Sequence, residues 1–78
     1  MPTIFRSGPF RFFFYAGDGG EPPHVHVERD DCEAKFWLDP VRLERNQGFN
    51  TKEVRRLWKM IAMRQILFME GWNDFFKG

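Results

Sequence analysis

The chain has 78 residues, a mass of 9.4 kDa and a formal net charge of +1, a length that excludes a nucleotide-binding α/β barrel or any two-domain enzyme. Ten Phe, three Trp and one Tyr mean that the core is built from a few large plates. The single cysteine, Cys32, excludes an intramolecular disulfide and suits a reducing cytoplasm.

Taken in chain order, the first part of the sequence alternates apolar and polar residues between Gly/Pro clusters, the pattern of short strands. Strands are predicted at Thr3–Arg6, Phe10–Ala16, His24–Arg29, Cys32–Leu38 and Val41–Arg45. Ser7-Gly8-Pro9 turns the first into the second. The loop Gly17-Asp18-Gly19-Gly20-Glu21-Pro22-Pro23 begins flexible and ends stiff, so it delivers His24 in an extended conformation. Asp30-Asp31 must reverse the chain without a glycine.

Beyond Gly48 the period changes from two to between three and four. Asn50-Thr51-Lys52-Glu53 is a capping-box pattern, in which Asn50 and Glu53 each serve the other's backbone N–H. Val54, Leu57, Trp58, Ile61, Gln65, Phe68, Met69, Trp72, Phe75 and Phe76 then mark one buried stripe, predicting one long helix over 51–76 with a bend at Gly71. The expected fold is therefore α+β: one domain over 1–78, with a four- or five-stranded antiparallel sheet in 3–45 and one long C-terminal helix packed on one face.

Strand periodicity sorts the side chains into two faces. Val25, Val27, Ala34, Phe36, Leu38, Phe10, Phe12 and Phe14 are expected under the helix, with Trp58, Phe68, Trp72, Phe75 and Phe76 supplied from it. Arg11, Phe13, Tyr15, His24, His26, Glu28, Lys35 and Trp37 fall on the face the helix does not cover. Three chemistries fit that face. His24 and His26 can act as acid and base on RNA, with Lys35 and Arg11 as phosphate contacts and Phe13, Tyr15 and Trp37 as stacking planes. Alternatively the histidines and Glu28, in steps of about 7 Å along one strand, hold a metal, although Cys32 and Asp39 are not placed to complete its shell. In the third reading the strand is merely half-exposed, its histidines bonded to neighbours. No cofactor is expected.

The charge is unevenly spread: residues 1–50 carry six Lys/Arg and eight Asp/Glu (−2), and residues 51–78 carry six and three (+3). Lys52, Arg55, Arg56, Lys59 and Arg64 are expected on the solvent side of the helix, which serves either simple solvation or contact with phosphate or an acidic protein. Met60, Met63 and Leu67 form a narrower apolar stripe beside them, suited to a dimer or another partner. No apolar run approaches the roughly 18 residues of a membrane span, and Phe12 to Ala16 is too short for a signal-peptide core. The protein is expected in the cytoplasm, away from membranes.

The segments Arg11-Phe12-Phe13-Phe14-Tyr15, Glu21-Pro22-Pro23-His24-Val25-His26-Val27-Glu28-Arg29 and Ala34-Lys35-Phe36-Trp37-Leu38-Asp39-Pro40-Val41 resemble the domain-of-unknown-function 4160 family of small bacterial proteins. Gly48-Phe49 and Trp72-x-x-Phe75-Phe76 extend the likeness over nearly the whole chain. The resemblance implies a toxin-like component of a two-protein toxin–antitoxin module, encoded beside a small cognate protein, with signature positions Tyr15, Pro22, Pro23, His24, His26, Lys35 and Trp37. The chain departs from the family where a glycine turn reads Asp30-Asp31-Cys32, and in the more apolar Ala62, Met63 and Ile66. Two functions are carried forward with the metal alternative. One is a toxin acting on RNA or on translation, metal-independent and ribonuclease-like, using His24, His26, Lys35 and Tyr15. The other is a non-catalytic module that docks a cognate antitoxin-like regulator through Arg11, Phe13, Trp37, Arg55, Arg56, Lys59, Met60 and Met63. RNA and a second copy of the chain remain alternative partners.

Overall fold

Each strand pairs with the next one in sequence, through two-residue turns at three of the connections and a longer loop between Phe13 and His24. The computed structural model describes residues 3–77. In it β1 (Thr3–Ser7), β2 (Phe10–Phe13), β3 (His24–Arg29), β4 (Cys32–Leu38) and β5 (Val41–Gln47) form one antiparallel sheet in the order β1-β2-β3-β4-β5. The β3–β4 hairpin closes on Arg29 opposite Cys32. Asp30 makes the reversal by adopting φ 53°, a left-handed conformation that Asp tolerates better than most residues.

The register brings the expected apolar residues together. Phe12 lies opposite Val27, Val27 opposite Ala34 and Val25 opposite Phe36, so one sheet face is a continuous apolar floor. Leu57, Ile61, Phe68 and Trp72 cover it, and Phe10 and Phe49 close one end. At the start of α1 (Thr51–Met63) the capping box forms: Asn50 Oδ1 accepts from the Glu53 N–H at 2.8 Å, and Glu53 Oε1 accepts from the Asn50 N–H at 3.4 Å. Glu53 also accepts from Arg29 at 2.7 Å, pinning the helix start to β3. Gly48 joins β5 to α1 at φ +103°, where a Cβ would stand 2.9 Å from Cys32 Sγ, so only glycine fits.

Four expectations are corrected. The helix is two helices, α1 and α2 (Gln65–Lys77), broken at Arg64 (φ −121°, ψ 23°); Gly71 stays helical. On either side of the break α1 lies along β4 and β5, while α2 touches β4 and sets Phe68 against Phe5 and Phe12; Gln65 Nε2 donates to the Leu38 carbonyl at 2.6 Å beside it. Trp58, expected in the core, is 45% exposed and sits at the sheet edge, its indole N–H donating to the Val41 carbonyl at 2.9 Å. Phe75 is likewise exposed, at 41%, with its ring at the edge of the cluster formed by Phe14 and Phe76. Finally, β2 ends at Phe13 rather than Ala16: the Tyr15 N–H donates to Asp18 Oδ2 at 3.0 Å, and the chain winds into a 3-10 turn, Ala16–Gly20. No helix among the described residues is long and apolar enough to cross a membrane.

Candidate functional site

The 3-10 turn decides what becomes of the histidine face. After Tyr15 the chain folds back over β3, and Gly19 lies so close to Phe76 of α2 that a Cβ there would meet the ring at 2.8 Å. The face left open in the sequence reading is thereby closed. His24 is fully buried and His26 nearly so, Phe13 is 0% exposed, and Lys35 is buried as well. Phe13 is not a stacking plane for a base. It stacks instead on His26 (5.5 Å between centroids), meets Tyr15 edge-on at 5.1 Å and carries the Arg11 guanidinium over its ring at 4.2 Å.

Asp18 is the hub of this arrangement. Its Oδ2 lies 3.0 Å from His24 Nε2 and 3.1 Å from His26 Nε2. The contact to His26 is aligned as a hydrogen bond, whereas the one to His24 is close but misaligned. On the far side of each ring stands another acceptor: the Pro22 carbonyl 3.0 Å from His24 Nδ1, and Glu33 Oε2 3.5 Å from His26 Nδ1. Tyr15 OH reaches Glu33 at 3.3 Å and 3.4 Å, and its ring lies against His26 at 4.6 Å. Lys35 Nζ clamps Glu21 at 2.6 Å and sits 4.7 Å over the Trp37 ring, while the Trp37 indole N–H donates to Glu44 at 3.1 Å. Trp72 comes from α2 to touch the His24 ring at 5.0 Å.

The electrostatics follow from this packing. Burial holds the His26 imidazole below its ordinary pKa, against the pull of Asp18, so the ring favours its neutral form. Burial raises the Asp18 carboxyl, but the Tyr15 N–H and the two imidazoles outweigh it and hold Asp18 below the usual carboxylate value. Burial and the neighbouring Glu33 push the Tyr15 hydroxyl up, which keeps it a neutral donor. The hydrogen bond from Lys35 holds Glu21 below its ordinary value.

Of the residues singled out in the sequence, Tyr15, His24, His26, Lys35, Arg11, Phe13 and Trp37 do share one face of the sheet, but as a packed and mutually paired group. Glu28 does not join the imidazoles. It accepts from Arg11 at 2.8 Å, and the carboxylate that does join them is Asp18. Asp18 was missed because strand periodicity says nothing about a loop. The usable signal was a lone acid among three glycines, immediately before a His-x-His strand.

The second group of expected residues lies on the opposite side of the molecule. Lys52, Arg55, Arg56, Lys59, Met60 and Met63 line an open groove of about 360 Å³ on α1. Among the described residues none of these four cations makes an ion pair, and the Arg56 guanidinium sits 5.7 Å over Phe10. Met63 is 80% exposed, and Ile66 and Leu67 extend its apolar surface past the helix break. Met60 is half-buried against the core. Arg64 does not belong to the basic patch, because it turns back to donate to the Met60 carbonyl at 3.2 Å and covers Phe5 at 4.7 Å.

A five-stranded meander with two helices on one face and two imidazoles gathered on a loop carboxylate on the other defines a small α+β protein. Within that class the chain belongs to the family described as Domain of unknown function (DUF4160), which matches residues 10–73. The match runs from β2 through most of α2 and includes both the histidine face and the α1 groove. No curated protein and no solved structure matches the chain.

Proposed function

We propose that this chain is a non-catalytic binding module that docks an acidic, amphipathic segment of a cognate small protein in the α1 groove. Such a contact fits the toxin-like member of a two-protein module, as the family resemblance implies. The observation that carries the reading is the groove itself, lined by Met60 and exposed Met63 together with Lys52, Arg55, Arg56 and Lys59. Three of those cations fall in the first two turns of α1, where the helix dipole opposes them. Carboxylates from a partner would relieve that repulsion, and apolar side chains would pack on the two methionines. A second copy of this chain fits the groove poorly, since a symmetric contact sets one group of cations against another. An acid–base role on RNA fits the other face poorly, since a polynucleotide does not reach a fully buried His24.

The test is co-expression of the untagged chain with the product of the adjacent gene, followed by calorimetric titration of the purified components at 0.15 M salt. A stoichiometric complex is expected, weakened at least tenfold by Met63→Glu and by the paired change Arg55→Glu/Arg56→Glu, with unchanged circular dichroism. Absence of a complex with the native chain, or equal affinity in both variants, overturns the proposal. So does tight binding of single-stranded RNA that Met63→Glu leaves intact, since that outcome assigns the cations to phosphate.

A further inference from the structure

The two buried histidines carry a hydrogen-bonding conflict that neutral tautomers do not resolve. His24 Nδ1 faces the Pro22 carbonyl at 3.0 Å, a group that only accepts, so the ring proton belongs on Nδ1. Its Nε2 then presents a lone pair to Asp18 Oδ2, another acceptor, at 3.0 Å, and this nitrogen is buried without a hydrogen-bond partner. In His26 the proton that serves Asp18 must sit on Nε2. That leaves Nδ1 facing the Glu33 carboxylate at 3.5 Å, and it too is buried without a partner. Protonating both rings would place two cations side by side among buried side chains around a single carboxylate.

We propose that Asp18 Oδ2, His24 Nε2 and His26 Nε2 bind a divalent transition-metal ion of the zinc type. One ion resolves both conflicts. With the metal on both Nε2 atoms, each ring keeps its proton on Nδ1, where His24 donates to the Pro22 carbonyl and His26 to Glu33. Metal-bound histidines generally donate their second nitrogen in this way, to a carbonyl in one case and a carboxylate in another. The three ligand atoms lie within 4.8 Å of one another. Neighbouring ligands on tetrahedral zinc stand roughly 3.3–3.5 Å apart, given bonds of about 2.0–2.2 Å. Binding therefore asks Asp18 to withdraw by a few tenths of an ångström from each imidazole, a shift open to a residue on a 3-10 turn, and asks the two imidazole nitrogens to draw together from a separation of up to 4.8 Å. Two nitrogens and one carboxylate oxygen suit zinc and its neighbours and disfavour Mg²⁺ and Ca²⁺, which take oxygen shells. The partial exposure of Asp18 supplies the way in and leaves a fourth position for water.

The experiment uses untagged chain stripped with a chelator and titrated with Zn²⁺ at pH 7.5. Because the chain has only two histidines, its imidazole NMR signals report this site alone. One Zn²⁺ per chain is expected, with both Nε2 resonances shifted and both Nδ1 protons retained. Saturating Zn²⁺ should raise the midpoint of thermal unfolding by about 10 °C. Asp18→Asn keeps an acceptor for the Tyr15 N–H and should bind Zn²⁺ at least tenfold more weakly, while Glu28→Gln should bind it as the native chain does. No stoichiometric binding, unmoved histidine signals, or Asp18→Asn binding as tightly as the native chain overturns the site. A loss in Glu28→Gln alone returns the third ligand to the strand and overturns it equally. Should Asp18→Asn fail to fold, the histidine signals of the native chain decide by themselves.

Discussion

The two sides of this molecule handle charge in opposite ways. On the histidine face Lys35 meets Glu21, Arg11 meets Glu28 and the imidazoles meet Asp18, at distances from 2.6 to 3.1 Å. Aromatic rings wall these pairs in. On the α1 face Lys52, Arg55, Arg56 and Lys59 stand in solvent around exposed methionine. Buried charge is tolerated only when paired, which accounts for the Lys35–Glu21 and Arg11–Glu28 contacts, whereas His24 Nε2 and His26 Nδ1 stay buried without a hydrogen-bond partner. Nothing in folding requires the second arrangement, and exposed methionine among cations of one sign is the observation on which the proposed partner contact rests. Chemical character alone thus says little about exposure: His24, His26 and Lys35 are packed inside, whereas Lys52, Arg55, Arg56, Lys59 and Met63 form an open surface.

The comparison can be broken most directly at Phe13. If the histidine face is a second core, Phe13→Ala should cost about 3–5 kcal/mol, as deletion of a buried aromatic ring generally does, read as a loss of denaturant midpoint at unchanged slope. A cost below about 1 kcal/mol would mean that the face opens readily and is not core. Lys35→Ala comes next. It unclamps Glu21 from the loop over the histidines and should cost about 1 kcal/mol, with faster amide exchange across Ala16–Gly20 as the more specific readout.

Acidification of the metal-free chain gives a smaller and graded effect. His26 in the folded chain has a pKa below the ordinary 6.5, so the unfolded chain takes up the proton first as pH falls. Stability should therefore be full above about 6.5 and decline as pH falls from there through the folded pKa. Asp18, held below its ordinary 3.8, adds a second decline as pH falls through that value. Urea titrations from pH 8 to pH 3 should show both, and a flat profile between pH 7 and pH 5 would contradict the burial of His26. The smallest effect on folding belongs to the other face. Met63→Glu should change stability by no more than about 0.5 kcal/mol while removing partner binding, and a larger loss would move Met63 into the core.

Much of the fold was legible along the chain because it rests on local period. The alternation of Phe12, Val25, Val27 and Phe36 with polar residues placed them on one face, and the sheet register keeps them there. Asn50 and Glu53 announced the helix start because a capping box is a four-residue event. Trp58 and Phe75 defeated the same reasoning, since a helical stripe says which side faces the sheet but not how far the sheet extends. The break at Arg64 was hidden for a related reason: the hydrogen bond beside it runs from Gln65 to the Leu38 carbonyl, which is remote in sequence. Asp18 was the largest omission, because a glycine-rich loop has no period from which to read direction.

The sequence by itself determined an α+β meander, its apolar face and its two clusters of functional residue types, because each depends on neighbours within a few positions. Only the tertiary structure decided which cluster is open. The turn after Tyr15 brings Asp18 and Glu21 over β3, and contacts from Phe76 and Trp72 on the far end of the chain help to close that face. Burial is a property of what arrives from elsewhere in the chain, and local pattern does not carry it.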